Sequence, residues 1–274
     1  MAKTKILFVT HEMSPFLELS KISEITRQLP HAMQEKGFEI RILMPRFGNI
    51  NERRNRLHEV IRLSGMNIVV DNNDNPLIIK VASLPAARMQ VYFLDNEEYF
   101  HRKKVFRDEH GKFFEDNNER SLFFCKGALE TVKKLGWSPD VVHCHGWFTA
   151  MVPAYLKTVY QNDPTFKDAK VFYSLYNEDF NAADSLSSRY AEMAGQADID
   201  ADKLKEYGSG NYVDVCKGAL SFTDVVVKFE TETNPAIDEY IQKNNIRTFQ
   251  PASDTDYEAF GELYDEFVNE EVSV

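Results

Sequence analysis

Cysteine is scarce in this chain. There are three in 274 residues, Cys125, Cys144 and Cys216, odd in number, widely spaced and never arranged as Cys-x-x-Cys. That argues against a disulfide framework and a paired-thiol motif, and it fits a reducing compartment. Long apolar runs are also lacking, and no stretch approaches the roughly 20 apolar residues of a membrane span. The opening Met-Ala-Lys-Thr-Lys-Ile-Leu-Phe-Val has only four consecutive apolar residues, too few for a signal-peptide core. A cytoplasmic protein with no membrane partner is the expectation. Basic residues are absent from one end. No Lys or Arg follows Arg247, and residues 248–274 hold eight acids. The chain carries a net charge of −11, yet the part before this tail has 35 acids against 32 bases. The body is therefore close to neutral, whereas a nucleic acid asks for a basic face. Nucleic acid is excluded as a general partner. Gly-x-Gly-x-x-Gly, P-loop and Ser/His/Asp patterns do not occur, and no cofactor is expected.

What is present is enough apolar sequence, 43% with 12% aromatic, for a sizeable core. Lys5-Ile-Leu-Phe-Val-Thr10 reads as a first, central strand. A loop, His11 to Ser20, leads into a helix with Ile22, Ile25, Leu29 and Met33 at helical spacing and Gly37 at its C-terminal end. Phe38 to Met44 reads as a second strand. This is the opening of a doubly wound α/β fold. Ile61–Val70 and Leu77–Leu84 read as a β-hairpin insertion with a turn-rich tip, Asp71 to Pro76, and Met89–Asp95 as a further strand. Arg46, Arg53, Arg54 and Arg56 belong either to a solvated loop or to an anion or glucan contact. Asn96–Asn118 reads as a long charged loop and Asn117–Leu135 as a helix. Lys170–Asn177 reads as a buried strand, Tyr212–Phe222 as a helix, Asp224–Phe229 as a strand and Asn234–Lys243 as a helix. Residues 1–249 form the expected domain. Residues 250–274 form an acidic segment with Tyr257, Phe260, Leu263, Tyr264, Phe267 and Val268 at helical spacing, expected to dock on it.

Function is expected at Asp140–Lys157. An apolar strand there ends in His143-Cys-His145, breaks at Gly146 and runs into a helix. In open α/β sheets such carboxyl-end loops form the ligand crevice. His143 and His145 share a strand face and suit three roles: metal ligands, satisfied structural histidines, or the lining of a carbohydrate cleft. No third ligand is evident, so no metal is expected. Trp147 suits either the core or stacking on a sugar ring.

Several motifs in order give the chain a resemblance. His143-Cys-His-Gly-Trp147 with Pro153-Ala-Tyr-Leu156 resembles the His-x-His-Asp-Trp segment and following helix of bacterial glycogen and starch synthases, glycosyltransferase family 5. Glu12-Met-Ser-Pro15, Leu29-Pro30, Asp116-Asn117 with Arg120, Asn177, and Lys217-Gly-Ala-Leu220 with Asp224 extend the likeness over about residues 4–244. The resemblance implies a Rossmann-like, mostly parallel sheet, the N-terminal half of a GT-B glycosyltransferase. It implies glucosyl transfer from ADP-glucose to an α-1,4-glucan, with that half holding the glucan.

Three places depart from the family. Its Lys-Thr-Gly-Gly segment aligns with Glu18, Leu19, Ser20 and Lys21. Its aspartate is Gly146, and the histidine at its reacting centre is Tyr176. A glycine pair lets backbone N–H groups approach a phosphate, and a tyrosine is a poor substitute for an imidazole. The family's second domain does not follow. The expected cleft set is Glu12, Ser14, Glu18, Lys21, His143, His145, Trp147, Tyr176 and Asn177, with no catalytic residue assigned. The leading expectation is a synthase-like protein, a pseudoenzyme when alone. A non-catalytic glucan- or protein-binding regulator, or a homo-oligomer, is the alternative, and one subunit of a two-chain glycosyltransferase is the third. Glucan and ADP-glucose are the ligands to test.

Overall fold

A computed structural model describes residues 3–84, 87, 89–178, 180, 184–195, 199–230, 232–253 and 255–269. Strand β1 (Lys5–Thr10) is followed by α1 (Ile22–Glu35), whose buried face is Ile22, Ile25, Leu29 and Met33. Gly37, at φ 101°, turns the chain into β2 (Glu39–Pro45). A peripheral section follows: α2 (Glu52–Asn55), β3 (His58–Glu59), β4 (Met66–Val70), β5 (Asn73–Leu84), β6 (Met89–Asp95) and α3 (Glu97–Phe100). Then come α4 (Asn117–Leu135), β7 (Val141–His145), α5 (Met151–Lys157), β8 (Lys170–Leu175), α6 (Tyr190–Gly195), α7 (Tyr212–Leu220), β9 (Val225–Lys228), α8 (Pro235–Lys243), β10 (Thr248–Phe249) and α9 (Glu258–Asn269).

The described strands form a ten-stranded sheet in the order β10-β9-β8-β7-β1-β2-β6-β5-β3, with β4 paired to β5. From β10 to β6 all neighbours are parallel, and the pairs that β5 makes are antiparallel. Parallel strands covered on both faces read as unbroken apolar runs, and every residue of β7 is buried. The chain winds outward from β1 through β2 in one direction and from β7 through β8 and β9 in the other. The winding reverses between β1 and β7, so the crevice sits above their carboxyl ends.

Three expectations change. The hairpin tip is two residues long: Asp71 and Asn72 both take positive φ, and β5 runs through Pro76. Paired left-handed residues match the twist of the flanking strands, which a longer tip would not require. Ile61 lies outside any strand and is exposed. The Asn96–Asn118 loop is also more ordered than its charge suggested. The buried Arg120 donates to the carbonyls of Tyr99 (2.8 Å) and Val105 (2.7 Å) and to Asn117 Oδ1 (2.5 Å), and Arg102 pairs with Asp116.

Helix α9 lies against α1 and the β7–β8 region. Phe260, Leu263, Tyr264 and Phe267 are buried, with Phe267 on Phe172 and Tyr264 on both Phe38 and Phe172. The tail residues 270–274 lie outside the described residues. No helix among the described residues is long and apolar enough to cross a membrane.

Candidate functional site

The site is built where β1, β7 and β8 end. Beyond β1 come His11 and Glu12. Beyond β7, Gly146 at φ 78° turns the chain into a short 3-10 helix, Trp147–Thr149. Beyond β8 come Tyr176, Asn177 and Glu178. His11 stands between two carboxylates, its Nε2 3.5 Å from Glu12 Oε1 and 3.5 Å from Glu178 Oε1. Glu178 also accepts from the Trp147 backbone N–H at 3.1 Å, which ties the β8 loop to the turn after β7.

Electrostatics follow from this geometry. Burial alone would depress His11, but Glu12 and Glu178 outweigh it and hold the imidazole above its usual 6.5. Burial likewise works against Glu12. His11, the Ser20 hydroxyl and the Leu19 N–H outweigh it and hold the carboxyl below its usual 4.5. Burial pushes Glu178 up to about 7, with His11 pulling the other way. The cluster therefore sets an imidazole raised above its usual value between a lowered Glu12 carboxyl and a Glu178 that titrates near neutrality.

Glu12 does a second thing. Its Oε2 accepts from the backbone N–H groups of Leu19 (2.6 Å) and Ser20 (2.9 Å), and its Oε1 from the Ser20 hydroxyl (2.6 Å). These donors lie in the loop leading into α1, where free N–H groups would suit an anion. A carboxylate of the protein already occupies them.

The histidines of β7 are neutral and point into the fold. His143 lies 2.6 Å from the Tyr264 hydroxyl of α9 and 2.7 Å from Ser174 Oγ. Burial, with His145 beside it, holds His143 well below 6.5. His145 Nδ1 lies 2.7 Å from the Tyr176 hydroxyl, and burial with His11 nearby lowers its pKa to about 3. His11 Nδ1 and His145 Nε2 are buried without a hydrogen-bond partner among the described residues. Burial raises the Tyr176 phenol well above 10, and its ring stacks on Phe229 with 4° between planes. Trp147 packs among Phe106, Phe113 and Phe180.

Of the expected cleft residues, Glu12, His145, Trp147 and Tyr176 gather around this cluster. His143 faces α9 instead. Ser14 bonds Glu18 at 2.8 Å, Lys21 pairs with Glu230 at 2.8 Å, and Asn177 donates to the Glu232 carbonyl at 2.9 Å, all near the surface. Two members went unread, His11 and Glu178. Each is one residue from a position singled out, and the available signal was a titratable residue just past a strand end. Solvent scarcely reaches the centre: His11 is 2% exposed, Glu12 0%, His145 0% and Tyr176 3%. Gly146 is part of the closure, because a Cβ there would lie 2.6 Å from His11 Cε1 and 2.8 Å from Glu178 Oε2. The aspartate expected from the family resemblance has no room. Among the described residues no group of three or more His, Cys, Asp or Glu side chains is placed to hold a metal.

Residues 5–235 match the family model described as the starch synthase catalytic domain. The glycogen synthase of Chlorobium limicola is 42% identical over 174 residues, covering 63% of this chain and 36% of that protein. The glycogen synthase of Chlorobaculum tepidum is 41% identical over 174 residues, with the same coverage. The chain thus spans about a third of the length of the curated relatives it matches. Among solved structures, the catalytic domain of Starch Synthase IV from Arabidopsis thaliana, bound to ADP and acarbose, superposes with a TM-score of 0.74 at 19% identity. The match covers 91% of this chain and 51% of that one, which establishes the shared fold.

Proposed function

The chain belongs to the family of starch synthase catalytic domains, and on that premise we propose that it is a glycogen/starch synthase-like protein whose own strand-end crevice does not transfer glucose. The observation that carries this reading is the loop into α1, where an exposed Glu18 stands at the position of the family's lysine and the Leu19 and Ser20 N–H groups are already taken by Glu12. A sugar-nucleotide diphosphate entering there would meet a fixed negative charge where it needs donors. Two like charges about 4 Å apart repel by roughly 4 kcal/mol at an effective dielectric near 20. Tyr176 supports the same reading, since a phenol held well above 10 is badly matched to proton transfer near neutral pH.

What remains for the chain is binding, and an α-glucan is the ligand its surface favours. A groove of about 490 Å³ is lined by Arg107, Lys112, Phe113, Phe114 and Asp184 among others. Phe113 touches Trp147, at 5.8 Å between ring centroids, so the groove adjoins the closed site. Aromatic walls with a few convergent polar groups suit a small-molecule or oligosaccharide chain. The three buried free cysteines fit a cytoplasmic setting. Residues 250–274 are read as an accessory acidic segment on a body formed by residues 1–249.

Calorimetric titration with ADP-glucose and, separately, with maltooligosaccharide, alongside a glucosyl-transfer assay on the same sample, tests the proposal. Glucan binding that weakens in Phe113→Ala, with neither donor binding nor transfer, is expected. Donor binding with turnover would overturn it. If neither ligand binds, the glucan part fails and a protein partner becomes the reading.

A further inference from the structure

The net charge is segregated in space as well as in sequence. The loops leaving the carboxyl ends of β2 and β6 carry Arg53, Arg54, Arg56, Lys103 and Lys104. All five side chains are exposed, and none has an ion pair or hydrogen bond among the described residues. The two loops adjoin, because a Cβ on Gly48 would lie 2.4 Å from the Arg102 carbonyl oxygen. Helix α2 is fixed at this rim through Glu52, which engages Arg46 and Lys80, both paired in turn with Asp95 at the end of β6. Glu52 is therefore committed elsewhere. Glu59, Glu97 and Glu98 are the exposed acids nearby.

The opposite charge collects at the other end of the sheet. Helix α9 exposes Glu258, Glu262, Asp265 and Glu266 along one face. Glu258 is 3.5 Å from Lys36 and Glu266 2.7 Å from Arg247, whereas Glu262 and Asp265 have no partner among the described residues. Both line a groove of about 350 Å³ with Thr4, Lys36, Gly37, Phe38 and Gly261, the Lys36 ammonium being turned to Glu258. Those neighbours precede β1 and β2, so the groove lies at the amino ends of the strands. The basic rim is a strand length away, about 20 Å for six residues, beyond the reach of the acidic face of the same molecule.

We propose that the chain associates head to tail with a second copy of itself, the arginine rim of one copy (Arg53, Arg54 and Arg56) seated on the acidic groove of the next at Glu262 and Asp265. Charge complementarity selects this occupant: a chain of net charge −11 keeps a cluster of unneutralised cations at one pole and its unpaired α9 carboxylates at the other. The contact is heterologous, so a pair of copies retains one free rim, on one copy, and one free groove, on the other. Both surfaces are solvated, and the association weakens as added salt shortens the screening length.

Sedimentation velocity over a concentration series at low and high ionic strength tests this. The full chain is expected to show a weight-average mass that rises with concentration and falls with salt. Arg53→Glu/Arg54→Glu and Glu262→Lys/Asp265→Lys variants, each confirmed folded by circular dichroism, should be monomeric alone. Mixed together, the two variants are complementary at both junctions, the arginine rim on the acidic groove and the Arg53→Glu/Arg54→Glu rim on the Glu262→Lys/Asp265→Lys groove, so association should return. A monomeric full chain at low salt overturns the proposal. So does self-association unaltered in either variant, or a mixture that stays monomeric. Inorganic polyphosphate captured by the rim of a chain that remains monomeric would also overturn it and assign the rim to a different anion.

Discussion

At the scale of single residues, the crevice is closed by atoms packed too tightly to exchange. Gly146 combines a left-handed φ with a Cβ position already occupied by His11 and Glu178. Gly146→Ala is expected to cost about 2–3 kcal/mol, from strain at positive φ and displacement of the charged cluster. Urea denaturation measures it, and a loss below the error of the method would show that the closure is loose. The same cluster sets a pH response. Glu178 rises from 4.5 to about 7 on folding, and His11 rises above 6.5. Raised folded values mean that the native state binds more protons, so stability falls as pH climbs from about 4.5 to 7 on account of Glu178, and from 6.5 upward on account of His11. His143 and His145 are depressed, and their contribution is lost as pH drops below 6.5. Glu178→Gln should remove the fall that Glu178 contributes between about pH 4.5 and 7 in thermal melts, so that stability rises more steeply with pH across that window. An unchanged slope across that window would remove Glu178 from this role.

At the scale of elements, α9 meets the sheet through a buried polar contact inside an aromatic seam. Tyr264 bonds His143, and His143 bonds Ser174 of β8. Tyr264→Phe keeps the ring but leaves His143 Nδ1 without a partner, which costs about 1–3 kcal/mol. Chemical denaturation reads the loss directly, and a neutral substitution would mean that water replaces the hydroxyl. Several motifs behind the family resemblance also hold elements together. Arg120 pins the loop between β6 and α4. A Cβ on Gly218 would lie 2.4 Å from the Tyr207 ring. Asp224 accepts from Lys157 and from the Val171 N–H of β8. Such positions were legible as motif letters, but letters do not distinguish a residue that holds a loop from one that holds a ligand.

At the scale of the molecule, one continuous apolar cluster runs from β1 and α1 through the hairpin to α9. Trp137, which donates to Glu39 near the amino ends of the strands, and Trp147, at the carboxyl ends, report on both poles. Tryptophan fluorescence and far-ultraviolet circular dichroism are expected to show coincident unfolding transitions. Separate midpoints would mean that the hairpin region or α9 unfolds as its own unit.

The sequence alone determined the order of elements, because helical and strand periodicities and turn residues act locally. The expected helix from Asn117 to Leu135 and the strand from Met89 to Asp95 match the observed bounds. It also determined the family, through motifs that keep their order, and the polarity of the net charge. It placed Glu12, His145 and Tyr176 at strand ends, where a crevice was expected. Only the tertiary structure decided what those residues do. His11, Glu12 and Glu178 come from two loops far apart in sequence, and their mutual charge exists only once β1 and β8 flank β7 in the sheet. Whether Glu12 faces a ligand or the N–H groups of Leu19 and Ser20, and whether His143 faces the crevice or α9, depends on packing between distant segments, which no local pattern encodes.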